Sequence, residues 1–308
     1  MEFFVAVVEE GSVTEAAKRL RVSPGGVSLA LSQLEGTLKV QLTLRHRGRG
    51  AAVTPAGRWV YNEAKSVLTG AEGITNVAEA LRGTLIGPLR IGCFSTLSPW
   101  LFPRIAAHFT NEYPGVDLRL AEGTSVELQR DLREGNLDVA LLYANHLQAG
   151  IDGVEIVPVR LQLALAPTHR LAHLKEIPLR ELENEDAILL GVQPSIGHVE
   201  DLMTAAGMKP NVKWRSTNVE TIRSMVARGL GYTIIMGRPY GDYTYDGFPI
   251  AYRRIADEVP ENAVVVAYPS GTTLTTKIQT LVSFCRTEFG HEGKEADTEG
   301  VRDGMGAL

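Results

Sequence analysis

Cysteine is nearly missing from this chain: Cys93 and Cys285 are its only two among 308 residues. Two thiols cannot complete a zinc site by themselves, and a disulfide framework needs more, so both read as small buried apolar residues. No apolar run approaches the ~20 residues that span a bilayer. The start, MEFFVAVVEEGS, lacks the basic-then-apolar layout of a signal peptide, so a cytoplasmic location without a membrane partner is expected. Catalytic signatures are missing too: there is no G-x-S-x-G elbow, no Walker loop and no H-E-x-x-H. His169 and His173 have the spacing of helical metal ligands, but they fall in APTHRLAH, which reads as a loop after a strand. An enzyme is therefore not expected, nor a cofactor, nor a bound metal.

What remains is an ordinary globular composition, 44% hydrophobic and 22% charged, over a length that accommodates two or three domains. The charge is unevenly divided. Residues 1–60 carry eight Lys and Arg against five acids, a charge of +3, which leaves −8 on the rest of a chain whose net charge is −5. A basic head on an acidic body is the asymmetry expected when one domain meets phosphates and the remainder must not.

Within the head, Ser12 and Glu15 form an S-x-x-E capping box, which predicts a helix from about Val13 through TEAAKRL. Ser23 and Pro24 then supply an N-cap and a first-turn proline for a second helix. Its apolar positions Val27, Leu31 and Leu34 recur at helical spacing, while the small Ala16 and Ala17 let the two helices approach closely. Two helices at a tight turn are a helix-turn-helix, whose second helix fits a major groove of double-stranded DNA. The groove-facing candidates are Ser23, Pro24, Gly25, Gly26, Ser28, Leu29 and Ser32. Arg45, Arg47 and Arg49 alternate with His46, Gly48 and Gly50 on a Gly-rich loop. Such a run can be a merely solvated charge cluster, but its place after a helix-turn-helix favours a wing that touches phosphate or the minor groove.

Thr54 and Pro55 open another helix that meets no proline as far as Leu81. Val60, Ala64, Val67, Ala71, Ile74, Ala78 and Leu81 step by four and three along it, a heptad seam suited to a second copy of the chain. Packing of that seam on its own chain is the alternative. RGTLIGP, with Gly83 and Gly87, ends the helix as a hinge. Strands and helices then alternate (LRIGCF, WLFPRIAAHFTNEYP, VDLRLAEG, SVELQRDLREG, LDVALLY), which predicts a parallel sheet with flanking helices. A second series begins at LQLALAP and runs to YTIIM, and the chain returns near AVVVAYPS, so two crossings make two lobes with a cleft.

Ligands of open α/β sheets bind beyond the carboxyl ends of strands, where helix N-termini offer free N–H groups. Ser95, Thr96, Thr124, Ser125, Ser195, Thr217 and Asn218 fall at such places, and hydroxyls there suit a carboxylate or similar small anion. Plain helix capping is the competing reading of each. Tyr240, Tyr243, Tyr245 and Phe248 could line the cleft mouth or form a surface loop.

The stretch FFVAVVEEGSVTEAAKRLRVSPGGVSLALSQLEGTLKVQL followed by VTPAG resembles the N-terminal domain of LysR-type transcriptional regulators. STLSPWLFPRIAAHFTNEYPGVDLRLAEG, EGNLDVALL and ARGLGYTII resemble their periplasmic-binding-protein-like effector domain. The match begins several residues into the family's usual first helix, which is expected to be clipped. Gly25, Gly26 and Leu29 depart from common family residues, as do Lys39, standing for a helix-ending Gly, and Thr43, standing for Phe. The resemblance implies a sequence-specific DNA-binding regulator that responds to a small-molecule effector, acts as a homodimer or homotetramer through its linker helix, and works on RNA polymerase. The expected fold is multidomain: a winged helix-turn-helix over residues 1–55, a linker helix over 56–82, a hinge over 83–88 and a two-lobed α/β domain over 89–290. Lobe I takes residues 89–160 and 266–290, lobe II takes 161–265, and a disordered tail takes 291–308. The rival reading is a cytoplasmic solute-binding or enzymatic α/β protein with an incidental helical head.

Overall fold

The computed structural model describes residues 1–45, 51–80, 85–236 and 241–290. Arg47, Arg49, Leu81, Gly83, Tyr240 and the tail from 291 lie outside the described residues, as do the side chains of Arg45, Ile74 and Ala78. The chain divides into two units, one built mainly from Met1–Leu85 and the other starting at Ile86.

The head comprises α1 (Glu2–Glu10), α2 (Val13–Leu20), α3 (Pro24–Leu38), β1 (Thr43–Arg45), β2 (Ala51–Val53) and α4 (Pro55–Ala80). The starts of three helices are set by side chains that accept otherwise unpaired N–H groups. Ser12 accepts from Glu15 N at 3.5 Å, Ser23 from Gly26 N at 3.1 Å, and Thr54 from Gly57 N at 2.8 Å. Phe4, Val7, Ala16, Ala17, Val27, Leu31 and Leu42 make one buried core. The two alanines are what allow α2 and α3 to close on α1. Lys39 ends α3 in the left-handed region, φ 53°, where a side chain is costly and glycine is not.

α4 buries part of its expected dimer seam within its own chain. Val60 packs against the head's core and Ala64 is buried, whereas Val67 is 56% exposed and Ala71 is exposed too.

The second unit opens with β3 (Gly87–Phe94), α5 (Ser98–Glu112), β4 (Val116–Gly123), α6 (Ser125–Arg133), β5 (Val139–Tyr143) and β6 (Ile151–Val159). Beyond the crossing at Arg160 come β7 (Leu161–Leu165), β8 (Glu176–Ile177), β9 (Asp186–Leu190), α7 (Ser195–Ala205), β10 (Asn211–Ser216), α8 (Val219–Ala227), β11 (Thr233–Met236) and β12 (Ala251–Ile255). β13 (Asn262–Pro269) and α9 (Thr276–Phe289) complete lobe I. Its five strands lie in the order β4-β3-β5-β13-β6, with β4, β3 and β5 parallel and β13 antiparallel to both neighbours. The sheet is thus mixed, because β13 arrives from the opposite direction. The return to lobe I starts at Asn262, earlier than the expected residue 266, since β13 already pairs with Val159 there.

Lobe II holds a four-stranded sheet, β11-β7-β12-β8, and a parallel pair, β10 with β9. At the start of the domain the buried Lys277 of α9 donates to Ile86 O at 3.1 Å and Pro88 O at 2.8 Å. That cation anchors the strand next to the expected hinge.

Gly57, in the first turn of α4, sits against the residue that precedes β1, and a Cβ there would stand 2.1 Å from Leu42 O. Backbone cannot retreat as a side-chain tip can. Gly57→Ala is expected to destabilise the head by roughly 1–3 kcal/mol, seen as a lower urea midpoint by circular dichroism.

Candidate functional site

On the head, α3 turns Val27 and Leu31 inward and presents its opposite side outward. Pro24, Gly25, Gly26 and Ser32 are exposed, Ser28 is half-buried, and Leu29 is 62% exposed. Ser23 is exposed but its hydroxyl is already the N-cap. Glu35, near the end of the same helix, accepts from Leu42 N at 2.8 Å, Thr43 N at 2.9 Å and Thr43 Oγ1 at 3.3 Å. One carboxylate thus fastens the wing's first strand to α3 and satisfies the buried Thr43 hydroxyl. Sequence reading missed Glu35, although an acid near the end of the groove-facing helix, apart from the four acids of residues 1–15, was the available signal. β1 and β2 pair antiparallel from Thr43↔Val53 to Arg45↔Ala51, so Arg45 ends the described part of the wing's ascending strand.

In the second unit the lobes enclose a cleft of about 1520 Å³. Ser95 and Thr96 line it from lobe I, and Ser195, Thr217 and Asn218 from lobe II, five of the seven expected positions. Thr124 and Ser125 do not line it. Thr124 is a cap: its N–H and hydroxyl donate to Glu127 Oε2 at 2.9 and 2.7 Å, and its Oγ1 accepts from Glu127 N at 3.3 Å. Ser125, 1% exposed, accepts from the buried Gln129 Nε2 at 2.9 Å. For these two the capping and packing reading holds. Asn218 lines the cleft, yet its Oδ1 accepts from Glu220 N at 2.8 Å and Thr221 N at 3.2 Å as the N-cap of α8. Tyr243 and Tyr245 are exposed and lie outside the cleft lining.

Residues that the sequence did not single out complete the cleft: Trp100, Tyr143, His146, Gln162 and His198. Thr96 Oγ1 and Tyr143 OH share a hydrogen at 3.3 Å, and burial pushes the phenol up to about 12, against the pull of that bond. His146 follows β5 in a one-turn 3₁₀ helix, Ala144–His146, 4% exposed, with Phe94 and Tyr143 edge-on at 5.1 and 5.2 Å. Its Nε2 meets Ser195 Oγ at 3.5 Å and its Nδ1 has no partner among the described residues. Gln129 Nε2 donates to His146 O at 3.0 Å, so the buried amide beside Ser125 also holds this turn in place. Across the cleft Asn145 Nδ2 donates to His198 Nδ1 at 2.9 Å, while Asn145 Oδ1 accepts from Asn262 Nδ2 at 2.8 Å. Hydrogen bonds that join the lobes include Ser195 with His146, His198 with Asn145, and Asn262 Nδ2 donating to Met236 Sδ at 3.8 Å. Among the described residues no cluster of three or more metal-ligating side chains occurs, and no helix is long and apolar enough to cross a membrane.

Burial, and secondarily His198, lowers the His146 imidazole from 6.5 to about 4. Between those values the unfolded chain binds the proton and the native one does not, so the stabilisation is complete above pH 6.5 and lost as pH falls toward 4. From pH 7 to pH 5 this amounts to about 2 kcal/mol. His146→Phe, which keeps a ring against Phe94, is expected to flatten the pH dependence of urea stability by that amount; an unchanged slope would place the titration elsewhere.

Residues 1–58 match the family described as "Bacterial regulatory helix-turn-helix protein, lysR family", and residues 82–290 match the "LysR substrate binding domain". The chain is similar to YvbU of Bacillus subtilis, an uncharacterized HTH-type transcriptional regulator, with 27% identity over 95% of this chain and 98% of that one. It is also similar to OxyR of Escherichia coli K12, a DNA-binding transcriptional dual regulator, with 26% identity over 96% of each. Among solved structures, HinK of Pseudomonas aeruginosa, a LysR family transcriptional regulator, aligns with TM-score 0.63 and 32% identity over 94% of this chain and 97% of that one. A full-length OxyR variant from the same organism aligns with TM-score 0.75 and 25% identity over 92% of this chain and 96% of that one. With both of its units matched in order, and with a helix-turn-helix whose recognition face is exposed, followed in the chain by a two-lobed domain that holds a cleft, the chain belongs to the LysR family of DNA-binding transcriptional regulators with a C-terminal effector-binding domain.

Proposed function

We propose that the head reads operator DNA through α3 and its wing, and that a small effector held between lobes I and II sets how the head engages that DNA. Leu29 and Ser32 stand where base edges would lie, with Leu29 suited to a thymine methyl. Arg45, Arg47 and Arg49 supply phosphate contacts. The exposed Val67 and Ala71 of α4 carry the seam to a second copy, giving a homodimer or homotetramer that places two heads on one site. Its place of work is the cytoplasm, with RNA polymerase as the further partner.

The observation that carries the effector reading is the cleft itself, where hydroxyls of both lobes, Thr96 and Ser195, stand beside Tyr143 and His146. α7 begins at Ser195 without a side-chain cap, which suits a carboxylate on the effector. Closure follows only from differential affinity of the effector for the closed form. Some relatives are named hydrogen peroxide-inducible genes activators, but a thiol sensor needs an accessible thiolate. Cys93 and Cys285 are both fully buried in lobe I, and burial pushes their thiols up, that of Cys285 to about 12. A reversibly bound small molecule is the better reading.

Two measurements test this. Replacing Arg45, Arg47 and Arg49 together by Ala should weaken binding to every DNA sequence and flatten the log–log salt dependence by up to ~0.9 per lost contact; an unchanged slope removes the wing from the interface. Thr96→Val deletes one hydroxyl at nearly constant volume. With an effector found by thermal-shift screening, it should raise Kd about five- to tenfold while effector-free DNA binding stays intact. Unchanged affinity would place the site elsewhere.

A further inference from the structure

The charge of the cleft lining runs against a purely anionic effector. Seven carboxylates line it against three arginines, and none of the arginines is free. Arg223 is bound to Glu220, to Tyr252 OH at 2.7 Å and to the carbonyls of Gly241 and Tyr243. Arg254 Nε pairs with Glu176 at 3.2 Å, and Arg160 is engaged as well. His146 is held neutral by burial, so it adds no positive charge. Glu122, Glu155, Asp257, Glu258 and Glu261 remain on the walls, and a concave surface lined by one sign of charge concentrates ligands of the other.

Independently of that charge, two buried polar atoms of cleft-lining residues lack a partner among the described residues, His146 Nδ1 and the carbonyl oxygen of Gln162, and the second can only accept. Gln162 lies on β7 opposite Ile235 of β11, and both line the cleft. Its Oε1 is buried with no hydrogen-bond partner among the described residues. A buried carbonyl oxygen on the strand position paired with the apolar Ile235 is costly unless something donates to it. Nothing among the described residues does. Trp100 and Tyr143 line the same cleft from the opposite lobe, and aromatic rings tolerate an organic cation far better than an anion.

We infer that the effector carries an ammonium group, read by the Gln162 carbonyl within the acid-rich walls of the cleft. The inference rests on the cleft being the effector site, and it leaves the uncapped start of α7 open to a carboxylate on the same molecule. The effector class is therefore a small amine, including amino acids and their decarboxylated relatives.

The test uses the full chain and six probes on two skeletons: butylamine, butyrate and butyramide, and benzylamine, benzoate and benzamide, titrated by calorimetry. Both amines should bind at least about tenfold more tightly than their matching carboxylates and amides. Gln162→Leu should cost the amines about tenfold or more and leave the carboxylates unchanged, while Gln162→Glu, the same shape with a full charge, should tighten the amines. Thermal unfolding of both variants without probe checks that the lobe is intact, and Gln162→Glu keeps the test decisive if Gln162→Leu is unstable. Failure of both amines to bind saturably, or amine binding indifferent to Gln162→Glu, overturns the inference. Carboxylates binding alone, with loss in Thr96→Val, would overturn it while sustaining the cleft as the effector site; probes insensitive to both positions would remove the cleft as well.

Discussion

Strand β13 is the member on which the effector domain depends. It pairs with β6 along Asn262–Pro269 and with β5 along Val264–Ala267, so its backbone is satisfied on both sides within a core where water cannot substitute. Val264, Val265, Val266 and Ala267 are at most 1% exposed, which leaves the strand nowhere else to go. Because it enters from lobe II, seating it obliges the chain to cross twice, and two crossings produce a cleft where a single linker would only have tethered the lobes. Its first residue, Asn262, is already at work there: Oδ1 accepts from Asn145 N at 3.2 Å while Nδ2 holds Asn145 Oδ1. The side chain that reaches His198 across the cleft is thus fixed from the strand that closes lobe I.

Hydroxyls at helix starts met two fates in this fold. Thr124 and Ser125 stand after β4, at the sheet's edge, where the local chain supplies Glu127 and Gln129 as partners and consumes their hydrogen-bonding capacity. Thr96 and Ser195 instead bond across to Tyr143 and His146, groups distant in sequence. Asn218 does both, lining the cleft while capping α8. Strand-to-helix position alone treats all of these alike, because it encodes only a free helix start. Whether a hydroxyl remains available depends on the three or four residues that follow it and on which edge of the sheet its strand occupies.

The head shows the same dependence at smaller scale. Two of its departures from the resemblance fall at joints: Lys39 takes the left-handed cap that a glycine would fill without strain, and Thr43 occupies a buried site. Glu35 makes that polar site tolerable by accepting from Thr43 twice, once at the backbone and once at the hydroxyl. The carboxylate that compensates the loss of an apolar residue also sets where the wing leaves α3.

By itself the sequence determined the helix-turn-helix, the long linker helix, the two crossings and the charge asymmetry. Each is written in local code: an N-cap or first-turn proline, a period of 3.6 or 2, or a sum over residues. The short β8 and the strands β6 and β12 escaped it, since Asp152, Gly153, Glu155 and the run of polar residues in Ala251–Ile255 dilute any alternation. Only the tertiary structure decided which hydroxyls face the cleft, that Val60 packs on its own head, and that His146 is buried and neutral. It also left Gln162 Oε1 without a donor among the described residues, in a cleft whose lining includes seven carboxylates. These depend on which elements become neighbours once β13 is seated, and a residue's burial and its partners far along the chain leave no trace in its own neighbourhood.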